Sequence, residues 1–504
     1  TMLNNERPKV LVVAGLDSGG GAGITADCIT VYDNMAFALP CVSALTCQSL
    51  KNITKVKATD EEIFKESLSL ASSDWDHIDA IKVGLISDDN LLSILLDALK
   101  TTFKDVPVVW DPVLCGTAGD LNSVDLKQRL DEILPLVSIF TPNLPEALTL
   151  ASWDEEKLKN EGTKKLAQFF IDKGARAVII KGGHNILSKD AEDTFVSDFV
   201  AFTMKHPYIE GKGAHGGGCA LSSALAALVA NKFAFHDAAV LAKAYVYSGI
   251  KHPALTLDDV DALKERPPIG HNGLVNDMSL MPEVFEDGFP EISKPFPSCP
   301  IKLGLYPVVD SVDWIKRLVK DGVRTIQLRI KDKSDPKLFE KISEAVEFCD
   351  ANKVRLFIDD HYELAIMAHA YGVHLGMEDL RDADIEKIRK AGLRLGVSTH
   401  GSYEMLKAYQ LHPSYIALGH IFPTNSKVMP SKPQGCFKLS VEQDLIKDSV
   451  PTVAIGGIKL FNVKDVIASN VGSVALITGI TKADDPDETT KQWLALCGNG
   501  GDKE

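Results

Sequence analysis

At 504 residues the chain exceeds what one ordinary core accommodates and calls for two or three domains. Its 45% apolar and 24% charged residues are those of a soluble globular protein. The formal charge of −15 excludes a general nucleic-acid binder, while a small cationic pocket could still hold a phosphorylated ligand. No apolar run reaches the roughly 20 residues that cross a bilayer, and the N-terminus lacks the basic-then-apolar order of a secretory signal. The nine cysteines are scattered without a CxxC pair, so neither a disulfide framework nor a zinc site is indicated. A cytoplasmic, reduced protein with no membrane partner is expected.

The first half opens on a buried-strand run, Val10–Ala14, and further runs follow at Ala80–Ile86, Val106–Trp110, Val137–Phe140 and Ala177–Lys181. Helical patterns separate them, which predicts an open, mostly parallel α/β sheet. Directly after the first run stands Gly15-Leu-Asp-Ser-Gly-Gly-Gly-Ala-Gly-Ile24. Its glycines permit tight folding and its free N–H groups suit a polar or anionic group. The spacing is neither the dinucleotide nor the Walker one, so a plain strand–helix turn stands as the alternative.

Thr141-Pro-Asn143-Leu-Pro-Glu146 and Lys181-Gly-Gly-His184 each come just past an apolar run. An amide and a carboxylate after one strand can position a magnesium–nucleotide complex, and a strand-end Lys can neutralise phosphate. Each can equally be a helix cap or a surface turn. His215-Gly216-Gly217-Gly218-Cys219, ahead of the small-residue helix Ala220–Val229, is the stronger signal. Glycines at a helix N-terminus present unsatisfied N–H groups and a positive dipole end to phosphate charge. The same field is expected to lower the pKa of Cys219 and make a thiolate accessible; a small buried Cys at a close helix contact is the alternative.

The last helix of this half is predicted at Asp237–Ile250. Beyond it Pro267, Pro268, Pro282, Pro290, Pro295, Pro297 and Pro300 interrupt an acidic, aperiodic stretch. Proline removes backbone donors and blocks helix continuation, which places a linker at 276–300 between domains at 8–275 and 301–497.

In the second half, short runs rich in Val, Ile or Leu begin near Lys302, Thr325, Arg355, Gly372, Arg394, Tyr415, Thr452 and Ser473. Several lead into amphipathic stretches such as Val312–Val319 and Lys337–Cys349. Strands alternating with helices at this spacing predict a closed (βα)8 barrel, whose chemistry gathers at the carboxyl ends of the strands. Gln327, Arg329 and Lys331 alternate on the second run and are expected on one face. Two cations there need anions, which Asp360 and Asp379 supply only in part; a diphosphate held by Mg2+ would balance the group. A buried ion-pair layer is the alternative. Pro423-Thr424-Asn-Ser426-Lys427 follows the sixth run, Gly456-Gly457 ends the seventh and Ile477-Thr478 the eighth, where barrels of this type often hold phosphate.

Taken in order, Gly15, Asp17, Gly20 to Ile24, Ala26, Asp27, Asp111-Pro112-Val113, Thr141 to Glu146 and the glycine loop resemble the ribokinase-like family. Within it they resemble the hydroxymethylpyrimidine/phosphomethylpyrimidine kinases. The resemblance implies that Gln48, Asp27 and Gly15 face the pyrimidine and that Cys219 is the catalytic residue of the loop formed with Gly216 and Gly218. It also implies that Lys181 faces the phosphates of ATP and that Asn143 and Glu146 serve Mg2+. Gly19, Ala214, Gly217 and Ala220 stand where the family carries hydroxyl residues, so a working but slower kinase is expected. A pyridoxal-type kinase and a degenerate pyrimidine-binding module are the alternatives for this half.

Tyr306 to Asp310, Gln327 to Asp332, His374-Leu-Gly376, Glu378-Asp379, Gly396 to His400 and Pro423 to Lys427 resemble thiamine phosphate synthase. That family joins a pyrimidine diphosphate to thiazole phosphate with release of pyrophosphate. The resemblance implies that Gln327, Arg329, Lys331, Asp359 and Lys427 serve the pyrimidine diphosphate, that Asp360 and Asp379 ligate Mg2+, and that Ser398 touches the pyrimidine. Thr424, Ser426, Gly457, Ile477 and Thr478 would receive the thiazole phosphate. Asp359 departs from the usual Asn, and Met377 from the usual Gln. The two activities are consecutive, so a bifunctional enzyme of thiamine biosynthesis is expected, with ATP as co-substrate and small molecules as partners. Both families commonly assemble, so a homo-oligomer is a further expectation of the resemblance.

Overall fold

The computed structural model describes residues 6–49, 52–113, 124–182, 190–209, 216–255, 267–425, 429 and 431–501. The chain divides into two compact units, one made of residues 4–275 with Ser279–Asp287, the other of Asn276–Met278 with the chain from Gly288 onward. No helix among the described residues is long and apolar enough to cross a membrane.

In the first unit, β1 (Lys9–Leu16), β2 (Phe37–Gln48), β3 (Ile53–Ala58), β4 (Ala80–Val83), β5 (Val108–Trp110), β6 (Ile139–Phe140), β7 (Ala177–Ile180), β8 (Asp190–Ser197), β9 (Ala201–Pro207) and β10 (Glu283–Phe285) form one sheet. Its order is β10-β9-β8-β7-β6-β5-β4-β1-β2-β3. From β2 through β7 the pairings are parallel. The apolar runs of β4, β5, β6 and β7 are buried throughout, as strands covered on both faces must be.

β3, β8, β9 and β10 extend the sheet antiparallel at its two edges. In β9, for example, Phe202, Met204 and His206 are buried while their neighbours are half-exposed, a period-two pattern that a search for continuous apolar runs passes over. Residues 283–285 lie within the proline-rich stretch, yet they pair with β9 as its outermost strand, at an edge where nearby Pro282 removes no needed ladder bond.

Helix Asp89–Lys100 shows how the flanking layer forms. Asp88 caps its first N–H groups, and Leu91, Leu92, Leu95, Leu96 and Leu99 recur at helical spacing and are buried against Trp110 and Phe140.

The second unit is a closed barrel of β11 (Gly304–Val309), β12 (Thr325–Leu328), β13 (Arg355–Asp359), β14 (Gly372–Leu375), β15 (Arg394–Thr399), β16 (Tyr415–Leu418), β17 (Thr452–Ala454) and β18 (Ser473–Leu476), neighbours running parallel. The runs predicted from sequence are these strands, except that the first starts at Gly304 rather than Lys302. Gly304 turns the chain into the barrel at φ +71, with no room for a Cβ against Gly498. The interior is filled by Leu303, Tyr306, Phe357, Tyr371, Tyr415 and smaller residues. Gly372 and Gly396 make that possible: a Cβ would lie 2.6 Å from the Phe357 ring at the first and 2.0 Å from the Tyr415 ring at the second.

Candidate active sites

In the first unit the described residues just past β1, β2, β5, β6 and β7 gather at the carboxyl ends of the strands. Asp17, just past β1, accepts the N–H groups of Gly19 and Ala22 at 2.7 and 2.9 Å and folds the Gly15–Ile24 segment into a compact turn. Gly216 caps helix Gly217–Ala230 at φ +86, and a Cβ there would lie 1.9 Å from the Gly21 carbonyl oxygen. The two glycine loops therefore pack backbone to backbone, which only glycine at 216 allows. Gln48, at the end of β2, adjoins the same turn: its N–H donates to Ser18 Oγ at 2.8 Å and its Oε1 accepts from Thr46 at 3.3 Å.

Lys181 follows β7, and its Nζ stands 3.1 Å from Asp111 Oδ1. A Cβ on Gly218 would also lie 3.1 Å from that nitrogen, so the ammonium sits at the N-terminus of the helix bearing Cys219. Burial works against the charge, but Asp111 and Glu146 outweigh it and hold the Lys181 pKa above its ordinary value. Asn143 and Lys181 are joined by an isolated parallel backbone bridge. Asn143 and Glu146 form a reciprocal cap, each side-chain oxygen accepting the other's N–H at 2.8 and 2.9 Å. The cap reading of these two residues therefore holds, and it fixes both beside Lys181.

Two placements depart from expectation. Burial pushes the Cys219 thiol up, against the pull of Lys82, and Asp27 and Asp111 add to the rise. The helix field does not yield a ready thiolate, because desolvation of the anion is the larger effect. Asp27 is fully buried: Lys82 Nζ lies 2.7 Å from one carboxylate oxygen, and Ser223 donates to the other at 2.6 Å. Its carboxylate is thus held in the interior by its counter-ion and a hydroxyl. Lys82 is the residue that sequence reasoning missed, because it hides inside a strand that otherwise reads as apolar; Asp111 was named as part of the Asp111-Pro112-Val113 segment but given no role. His184 and His215 lie outside the described residues.

The barrel opens at the carboxyl ends of its strands into a cavity of ≈ 470 Å³. Gln327, Arg329, Asp359, Asp360 and Asp379 line one side, and Thr424, Gly457, Ile477 and Thr478 the other, with Ser398 between them. Arg329 Nε lies 3.5 Å from Asp359 Oδ2, so the residue that replaces the usual Asn is an ion-pair partner. Asp360 is held at φ +61, and burial together with the Asp379 carboxylate raises its pKa above the ordinary range. Lys331 is not brought to the cavity. β12 ends at Leu328, so the alternation that would align Lys331 with Gln327 and Arg329 stops one residue before Arg329, and Lys331 is exposed. Ser426 and Lys427 lie outside the described residues.

His374, His400, Glu404 and His420 also line the cavity. His400 Nδ1 is 3.1 Å from Glu404 Oε1; burial opposes the Glu404 charge, but His400 holds its pKa below the usual value. Burial pushes the His420 pKa down, and His400 adds to the shift. The motifs already contained His374 and His400: His400 comes just past a strand, whereas His374 lies inside one and only its polar character in a buried run marked it.

Both units therefore carry charged and glycine-rich loops at the carboxyl ends of parallel strands, the organisation of an enzyme that handles phosphorylated small molecules. Residues 17–261 match the family of phosphomethylpyrimidine kinase and residues 305–480 that of thiamine monophosphate synthase. Thiamine-phosphate synthase of Citrobacter koseri is 53% identical over 205 residues, which cover 41% of this chain and 97% of the relative. Among solved structures, phosphomethylpyrimidine kinase of Clostridium difficile is 26% identical, covering 48% of this chain and 98% of that one with a TM-score of 0.41. Pyridoxal kinase of Staphylococcus aureus in complex with ADP is also 26% identical, covering 56% and 100% with a TM-score of 0.48.

The chain belongs to the thiamine-phosphate synthase family through its barrel and to the phosphomethylpyrimidine kinase family through its first unit. It is a bifunctional transferase of thiamine biosynthesis; the match of the first unit does not favour the pyridoxal-type or non-enzymatic alternatives.

Proposed function

We propose that the first unit phosphorylates hydroxymethylpyrimidine twice at the expense of ATP, and that the barrel joins the resulting diphosphate to thiazole phosphate. The observation that carries the second half is the barrel cavity, which sets Arg329, Asp360 and Asp379 across from the Gly457 and Thr478 side. Arg329, with Lys427, would hold the departing pyrophosphate. Ser398 would contact the pyrimidine ring between the two walls. Thr424, Gly457, Ile477 and Thr478 would seat the thiazole phosphate on hydroxyls and backbone N–H groups. Thiazole nitrogen then forms the new bond to the pyrimidine methylene carbon as the carbon–oxygen bond to diphosphate breaks, and no protein nucleophile is needed.

Asp360 and Asp379 suit a hard divalent ion, because two crowded carboxylates favour either a proton or a cation. Among the described residues no group of three or more His, Cys, Asp or Glu side chains gathers as a metal cage. Mg2+ there would share its remaining coordination with ligand oxygens and water, and when bound it would neutralise developing charge on pyrophosphate.

In the first unit Lys181 and the N–H groups behind Gly216 and Gly218 would stabilise the transferring phosphoryl group, and Asn143 and Glu146 would serve the metal of the nucleotide. Cys219 would sit against the accepting hydroxyl, and Gln48 would read the aminopyrimidine edge. Incubating the pure chain with ATP, Mg2+ and hydroxymethylpyrimidine and following products by mass spectrometry tests this half. The monophosphate and then the diphosphate should accumulate; no turnover would remove the claim.

A further inference from the structure

A chain of hydrogen bonds runs through the barrel interior to the cavity. Gln327 Nε2 donates to the Tyr306 hydroxyl at 3.2 Å, and the hydroxyls of Tyr306 and Tyr415 meet at 2.6 Å. Tyr415 meets His374 Nδ1 at 2.6 Å, and His374 Nε2 meets Ser398 Oγ at 2.6 Å. Tyr306 and Tyr415 are buried and do not line the cavity, whereas Ser398 does.

With the Gln327 amide oriented nitrogen-first toward Tyr306, one direction satisfies every hydrogen in this chain. The Gln327 amide nitrogen can only donate, so the Tyr306 oxygen accepts there. Among the described residues the Tyr306 hydrogen then has one acceptor in reach, the Tyr415 oxygen. Tyr415 in turn donates to His374 Nδ1, which fixes a neutral imidazole protonated at Nε2, and Nε2 donates to Ser398 Oγ. In that orientation the reverse direction would leave the Tyr306 hydrogen buried without an acceptor, which folded proteins avoid; it would require the Gln327 amide to turn its oxygen to the Tyr306 hydroxyl.

We infer that Tyr306, Tyr415 and His374 are positioning residues that present Ser398 to the ligand as a hydrogen-bond donor. With its oxygen already accepting from His374, the Ser398 hydrogen is the group left to face the cavity. A fixed donor selects a ring edge bearing an acceptor nitrogen, as an aminopyrimidine does, over an edge bearing N–H. The inference rests on the synthase reading of the barrel.

The test uses the full chain, supplied directly with pyrimidine diphosphate, with thiazole phosphate at saturation. Ser398→Ala should lower kcat/KM for the diphosphate about tenfold, the size of one lost hydrogen bond to the ligand. Tyr415→Phe keeps the ring in the space that Gly396 leaves and removes only the hydroxyl. It frees His374 to take its proton at Nδ1, so that Ser398 turns inward. A comparable loss is expected, with KM for thiazole phosphate unchanged. In the Ser398→Ala background Tyr415→Phe should add nothing further, because both act through one contact. Tyr306→Phe leaves Tyr415 able to donate to His374 and should cost less than Tyr415→Phe. Additive losses in the double variant, or a Tyr306→Phe loss as large as that of Tyr415→Phe, would overturn the inference alone. A wild-type chain that makes no thiamine phosphate from these reactants would overturn the synthase reading and the inference with it.

Discussion

At Cys219 a helix N-terminus that favours a thiolate competes with burial that disfavours one, and burial wins. A cysteine kept protonated in this way should react slowly with alkylating reagents. Peptide mapping after brief iodoacetamide treatment at neutral pH should find the exposed Cys47 labelled well before Cys219. Cys219→Ala should nonetheless lower the kinase kcat by about a hundredfold or more, because a group at the accepting hydroxyl is lost. Its synthase rate should be unaffected.

His206 illustrates a buried residue whose titration is felt in stability. It stacks on Tyr247 at 3.9 Å and its Nε2 lies 2.8 Å from the Leu280 carbonyl oxygen. Burial, with Lys243 nearby, pushes its pKa from 6.5 down to about 4. The unfolded chain takes up a proton near 6.5 while the folded one resists until about 4, so stability falls as pH drops through that window and levels off below it. The loss should approach roughly 3 kcal/mol. His206→Phe, which keeps a ring against Tyr247 and cannot titrate, should show a correspondingly shallower pH dependence of thermal unfolding.

At the scale of elements, the kinase loops depend on a close approach that one methyl group would break. Gly216→Ala places a Cβ on the Gly21 carbonyl at a φ that side chains resist, and should reduce kinase turnover by at least about tenfold through misplacement of the phosphate-facing N–H groups. The foot of the barrel is tied by Arg355, fully buried, which donates to Thr325 Oγ1 at 2.9 Å and to the carbonyls of Asn499 and Gly501 at 2.8 and 3.1 Å. Arg355→Leu would remove these three hydrogen bonds and should destabilise the barrel by about 2 kcal/mol in chemical denaturation.

These elements also show what the sequence made legible. Barrel strands such as Tyr415–Leu418 could be read because a parallel strand covered on both sides needs an unbroken apolar run. The half-covered strands β8 and β9 lack one and were missed. Lys331 was misplaced because alternation predicts a shared face only while the strand lasts, and the ladder ends at Leu328. The residues at strand ends, from Arg329 to Thr478, could be found because their motifs fall at breaks after apolar runs. The bond between Tyr306 and Tyr415 could not: it joins residues 109 apart, and no local pattern encodes which interior side chains meet. The same holds for Lys82 and Asp27, a buried pair that neither strand nor helix periodicity foretells.

For the whole molecule, the two sites are assembled from separate stretches of chain, each around its own core. Lesions should therefore separate the activities. Arg329→Ala should abolish thiamine phosphate formation while leaving pyrimidine diphosphate to accumulate. The most direct measurement gives the pure chain hydroxymethylpyrimidine, ATP, Mg2+ and thiazole phosphate and follows thiamine phosphate and pyrophosphate together. Equal amounts of both products are predicted, with no added enzyme. Absence of thiamine phosphate, even when the pyrimidine diphosphate is supplied ready-made, would contradict the account.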